Sequence, residues 1–126
     1  MAHTLLVTDD ALIIREMIKD AAAGAGWEIV GECCNGQEAV EAYQRLRPDV
    51  ATMDLVMPEY DGLHGLRGII ALDPQARVVV VSALEQKDVL KEAFRSGAAD
   101  FIVKPFDRKA LVATLDRLVA DPAEVG

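Results

Sequence analysis

Short apolar runs recur along the chain, each closed by polar or turn-forming residues, and they alternate with longer segments of helical period. The first run, Thr4 to Thr8, ends in Asp9 and Asp10. Helical spacing follows from Ala11 to Ala23, carried by Leu12, Ile13, Met17, Ile18 and Ala21 and stopped by Gly24, Ala25 and Gly26. Trp27 to Cys34 reads as a second strand. Asn35 and Gly36 then open a helix striped by Ala39, Val40, Tyr43 and Leu46, which stops before Pro48. Val50 to Met53 is the third strand, with Asp54 where it ends, and Pro58, Asp61 and Gly62 signal a loop and a helix start. Leu63, Leu66, Ile69 and Ile70 stripe that third helix as far as Asp73 and Pro74. Arg77 to Ser82 is almost continuously β-branched, as a strand covered on both faces requires. Val89, Leu90, Ala93 and Phe94 stripe a fourth helix ended by Ser96 and Gly97. Ala99 to Val103 is the fifth strand, broken at Lys104 and Pro105, and Ala110, Leu111, Thr114, Leu115 and Leu118 stripe the last helix.

Five short strands alternating with single helices predict an α/β fold. Right-handed crossovers build a parallel sheet and place helices on both of its faces. No internal repeat, low-complexity tract or linker interrupts the pattern. Residues 1–121 are expected to form one domain and residues 122–126 a short polar tail. The 126 residues, 52% of them hydrophobic, suffice for a single packed core.

Charge and targeting signals narrow the classes. No apolar run approaches the roughly 20 residues of a membrane span, and no basic region leads into a signal core at the N-terminus. The expectation is a soluble, cytoplasmic protein that contacts no membrane. A net charge of −8 argues against a nucleic-acid surface, which needs clustered Lys and Arg. Cys33 and Cys34 are adjacent and lack a His or Cys at ligand spacing, so reduced structural thiols are expected.

Open parallel sheets bind ligands beyond the carboxyl ends of their strands. Here those ends carry Asp9 and Asp10, Asp54, Ser82 and Lys104. Each has an ordinary reading as a helix cap, a turn hydroxyl or a solvated lysine. Jointly, three acids at one edge repel unless a cation sits among them. Hard oxygen donors suit Mg2+, and a lysine and a hydroxyl beside it suit the oxygens of a phosphoryl group. Asp54, at the tip of a buried strand, has the placement of a nucleophile or a metal ligand.

These residues carry a resemblance to the receiver domains of two-component response regulators, over essentially the whole chain. The matching stretches are Asp9-Asp10, Met53 to Pro58 with Asp61-Gly62, Ser82-Ala83, and Gly97 to Phe106. Together and in this order they are specific. The runs Gly31-Glu32, Asn35 to Val40 and Asp100 to Phe106 resemble the small stand-alone, CheY-like chemotaxis regulators most. The resemblance implies a doubly wound, flavodoxin-like sheet of order 2-1-3-4-5 and phosphoryl transfer to Asp54 from a histidine kinase. It implies Mg2+ held by Asp10, Asp54 and the Val56 backbone carbonyl, with Asp9 acting through water. Lys104 is implied to pair with the phosphoryl group and Ser82 to bond it, with Ala83 leaving that group sterically reachable for a phosphatase. Phe101 is implied to rotate and alter a target-binding surface of the fourth helix, fifth strand and fifth helix in a monomer.

Two departures matter. Ser82 stands where Thr is commoner and keeps the hydroxyl. Phe101 stands where many relatives carry Tyr, so it either switches without a hydroxyl or simply packs. The Lys104-Pro105 bond is expected to be cis, turning the lysine back toward the site. By the resemblance, Val56 and Leu84 flank the path of the hydrolytic water, and both are apolar.

Other classes fit less well. A phosphohydrolase of the haloacid-dehalogenase type needs an acid two residues after the nucleophile, and Val56 holds that place. A flavin or nucleotide carrier needs a Gly-rich loop after the first strand, where Asp9 and Asp10 repel phosphate. The protein is therefore expected to catalyse only its own phosphorylation and dephosphorylation. Open outputs are a chemotaxis messenger, a phosphorelay intermediate, or a receiver belonging to a longer transcription factor.

Overall fold

A computed structural model describes residues 2–83 and 87–120. The strands are β1 (Thr4–Thr8), β2 (Glu28–Cys33), β3 (Val50–Asp54), β4 (Val78–Ala83) and β5 (Asp100–Lys104). The helices are α1 (Leu12–Gly24), α2 (Gly36–Leu46), α3 (Gly62–Leu72), α4 (Lys87–Arg95) and α5 (Arg108–Val119). All strand pairs are parallel, in the order β2-β1-β3-β4-β5. The order reverses between β1 and β3, so the ends of those two strands open the crevice where such sheets bind ligands.

Strand alternation divides the core in two. Leu6, Ala51, Met53, Val78 and Val80 face one way, against Tyr43, Leu66, Ile69 and Ala93 of the second, third and fourth helices. Leu5, Val7, Val50, Val79 and Val81 face the other way, against Ile18, Ala22, Leu111 and Leu115 of α1 and α5. The central strand β3 is buried along its whole length. That rigidity sets where Asp54 stands.

Among the described residues, three helix starts are capped by side chains: Asn35 accepts from the Glu38 amide, Asp61 from His64, and Asp107 from Ala110. Each such cap is worth about 1 kcal/mol. At α2 the Glu38 side chain also turns back, its Oε1 accepting from the amide of Cys34, the residue before the cap. The start of α1 differs. Its cap residue is Ala11, without a side-chain bond, so neither Asp9 nor Asp10 caps that helix.

The loop after β3 folds back tightly over the strand tip. The Gly62 amide donates to the Leu55 carbonyl at 3.2 Å, and a Cβ at Gly62 would collide with the Asp54 carbonyl oxygen. Leu84 and the tail residues 122–126 lie outside the described residues.

Candidate functional site

Asp54 closes β3 and is 5% exposed; Asp9 follows β1 and is 1% exposed. Asp10, next to Asp9, is exposed. One carboxylate oxygen from each of the three lies within 4.8 Å of the others, a grouping that could hold a metal ion. Lys104, at the end of β5, reaches in from the far side. Its Nζ lies 3.1 Å from Asp9 Oδ2 and 3.4 Å from Asp54 Oδ2. One lysine against three carboxylates leaves about two negative charges uncompensated by direct contact.

The electrostatics follow from burial. Desolvation pushes the Asp54 carboxyl up to about 6, the neighbouring Asp9 charge adds to this, and Lys104 and the Val56 amide offset only part of it. For Lys104, burial works against the charge, but Asp54 and then Asp9 outweigh it and hold its pKa above the ordinary lysine value. The Val56 amide meets Asp54 Oδ1 at 3.3 Å, while the Val56 side chain is half exposed at the rim.

Asp9 is tied at every polar atom. Its amide donates to the Cys33 carbonyl at 3.1 Å, and its Oδ1 accepts from the Ala11 amide at 2.9 Å. Its Oδ2 accepts from Lys104, and its carbonyl accepts from Arg15 Nη1 at 2.8 Å. Nothing in the sequence pattern had singled out Arg15. The only signal available was a cation one helical turn into α1 beside an acidic turn, and a backbone acceptor leaves no trace in sequence.

The remaining predicted residues sit on neighbouring strand ends. Ser82 is buried on β4 and Ala83 pairs with Lys104 in register. Val81 pairs with Asp54, so the Ser82–Ala83 end adjoins the site. The Lys104-Pro105 peptide is cis, as expected. Phe101 is not in the core: it is 40% exposed and meets the exposed Phe94 edge-on, ring centroids 5.9 Å apart. Cys33 and Cys34 are both free, but only Cys33 is buried. Leu12, Ile13 and Met17 of α1 are exposed as well, so that helix buries a narrower stripe than its spacing suggested.

Trp27 lies at the other end of the sheet, preceding the β2 residue that pairs with Thr4. Its side chain is buried and its Nε1 donates to Asp116 at 3.0 Å. Titration with Mg2+ is therefore expected to leave Trp27 fluorescence essentially unchanged. Strong quenching without unfolding would contradict the placement.

Residues 5–116 match the response regulator receiver domain family. The chain belongs to that family. It is 44% identical to the chemotaxis protein CheY of Thermotoga maritima over 118 residues, covering 94% of this chain and 98% of the relative. It is likewise 44% identical to CheY of Bacillus subtilis over 117 residues, covering 93% and 98%. Among solved structures, a chain of the CheX-CheY-BeF3-Mg complex from Borrelia burgdorferi superposes with a TM-score of 0.89 at 30% identity, covering 94% of this receiver and 90% of that chain. Stand-alone relatives of this length support chemotaxis-type signalling by this receiver. No helix among the described residues is long and apolar enough to cross a membrane.

Proposed function

We propose that this receiver, taken as residues 1–121, is a phosphorylation-controlled switch in which Asp54 accepts a phosphoryl group from the phosphohistidine of a histidine kinase. The observation that carries the reading is the convergence of Asp9, Asp10, Asp54 and Lys104 at the strand ends where sheet order reverses. The donor set fits Mg2+: all the side-chain donors are hard oxygens, and the excess of negative charge around a partly exposed cluster calls for a small divalent cation. Asp10, Asp54 and the Val56 carbonyl would hold it, with Asp9 contacting it through water. When bound, Mg2+ neutralises charge on the phosphoryl oxygens and on the attacking carboxylate.

The chain's own residues supply the rest. An Asp54 oxygen forms the new O–P bond as the N–P bond of the phosphohistidine breaks, and the departing imidazole keeps the electron pair. Lys104, already between Asp9 and Asp54, moves its charge onto a phosphoryl oxygen. Ser82 donates its hydroxyl to another, and the small Ala83 leaves room for a partner phosphatase. No acid-base residue is required, because transfer depends on positioning and charge neutralisation. The chain thus acts on no substrate but itself, and Val56 gives it no acid to serve as a hydrolase.

Output runs through a partner in the cytoplasm, on the surface of α4, β5 and α5, where Phe94 and Phe101 form an exposed aromatic pair. Aromatic residues of this kind anchor interfaces. Chemotaxis-type signalling is favoured by the near-complete coverage of stand-alone relatives, and the chain is read as acting as a monomer. The test is transfer from a kinase. Radiolabelled phosphate on an autophosphorylated chemotaxis histidine kinase should move to this chain in Mg2+ and stay on the kinase in EDTA. Label remaining on the kinase under both conditions would refute the reading.

Lifetime provides a further check. Val56 is apolar and half exposed at the rim of the site, so it cannot orient an attacking water. Val56→Asn is expected to speed loss of the phosphoryl group about tenfold, a barrier change of about 1.4 kcal/mol and within reach of one hydrogen bond. Equal decay in the two proteins would place the water elsewhere.

A further inference from the structure

We propose that Arg15 is a positioning residue for this site: it fixes the peptide joining Asp9 to Asp10, and through it the cation-binding acids. The proposal rests on the phosphoacceptor reading above. Arg15 projects from the first turn of α1, and its side chain is only 13% exposed. Nη1 donates to the Asp9 carbonyl at 2.8 Å, and Nε donates to Glu32 Oε1 at 3.1 Å. Glu32 belongs to the edge strand β2 and pairs in register with Val7 of β1. Lys19, one turn further along α1, holds the other oxygen of Glu32 at 2.8 Å and is itself held by Glu16. A single guanidinium therefore joins helix α1, the edge strand and the acidic turn.

The bond to the carbonyl is the informative one. That oxygen belongs to the peptide unit between the two acids, so holding it orients the backbone that carries Asp10. Among the described residues, the Asp10 carboxylate has no hydrogen-bond partner of its own. Asp9 is fixed by Cys33, Ala11 and Lys104, but Asp10 depends on its backbone. The helix that follows adds no side-chain cap to steady the turn. Arg15 fills that gap.

Charge alone predicts the opposite effect. A lone cation beside three carboxylates would compete with a metal ion. Arg15 avoids this because Glu32 neutralises it, which leaves the pair's geometry as its main contribution. Arg15 serves its two acceptors from different nitrogens of one planar guanidinium, Nη1 and Nε, and a lysine in its place would offer a single nitrogen without that fixed fork.

The test uses the full chain: calorimetric titration with Mg2+, thermal unfolding in EDTA, and labelling by a small phosphodonor. Arg15→Met is expected to weaken Mg2+ binding about tenfold, the low end for loss of a residue that orients metal ligands. Arg15→Lys should be weakened as well. Glu32→Ala should show a smaller loss that disappears in the Arg15→Met background, and labelling of all variants should recover at saturating Mg2+. A purely structural clamp would lower the unfolding temperature and leave Mg2+ affinity unchanged. A purely electrostatic one would tighten Mg2+ binding in Arg15→Met and spare Arg15→Lys. Either result overturns the proposal. Should Arg15→Met not fold, Glu32→Ala decides, since its side chain is 37% exposed and unchanged Mg2+ affinity there refutes the clamp. Failure of the wild type to bind Mg2+ would instead remove the phosphoacceptor reading, and this proposal with it.

Discussion

Asp54→Asn is expected to abolish labelling by Mg2+ and a small phosphodonor, while the wild type takes up one phosphoryl group per chain. The amide is close to isosteric, so the strand tip and its loop keep their shape. What disappears is the anionic oxygen. An amide nitrogen or oxygen at this position is a poor nucleophile, and the remaining acids are badly placed to substitute. Asp9 is tied by the Ala11 amide and Lys104, and Asp10 is exposed at the edge of the cluster. Intact-mass measurement reads the outcome directly. Labelling of Asp54→Asn at the wild-type rate would remove Asp54 from the role of acceptor.

The same substitution is expected to stabilise the metal-free protein at neutral pH. Burial, and secondarily Asp9, raise the Asp54 carboxyl from its ordinary 3.8 to about 6. A change of that size corresponds to about 3 kcal/mol, to order of magnitude. The sign follows from proton binding. Between roughly pH 4 and 6 the folded state binds more protons than the unfolded one, so wild-type stability falls as pH rises through that window. Above it, the folded protein carries a desolvated charge beside another. The asparagine variant carries no such charge. Thermal unfolding in EDTA should therefore show the variant well above the wild type at pH 7, with the gap closing as pH falls through 6 toward 4. Adding Mg2+ should narrow the gap at pH 7 by stabilising the wild type alone. Equal stabilities across this range in EDTA would mean that Asp54 is not held in the strained, charged state described here.

The site was legible in the sequence because parallel strands carry their carboxyl ends to one edge. Asp9, Asp54 and Lys104 are far apart in the chain, yet each terminates an apolar run, and the fold brings the three into contact. The faces of α1 were not legible. Ile18, Ala21 and Ala22 are buried while Leu12, Ile13 and Met17 are exposed, and a helix with apolar residues on two sides does not show which side packs. Phe101 was ambiguous for a similar reason. A strand residue of β5 can face the core or solvent, and the edge-on contact with Phe94 exists only once α4 is docked beside the strand. Arg15 was invisible because its key acceptor is a backbone carbonyl, identical in every residue type.

Loss of labelling on substitution can also come from damage to a site, so the most direct measurement locates the bond in the unaltered chain. Wild-type protein labelled in Mg2+ is treated with borohydride, which reduces an aspartyl phosphate to homoserine, and its peptides are sequenced by mass spectrometry. Homoserine is expected at position 54, and is expected to be absent when EDTA replaces Mg2+. Homoserine at position 9 or 10, or label recovered on another residue type, would contradict Asp54 as the acceptor.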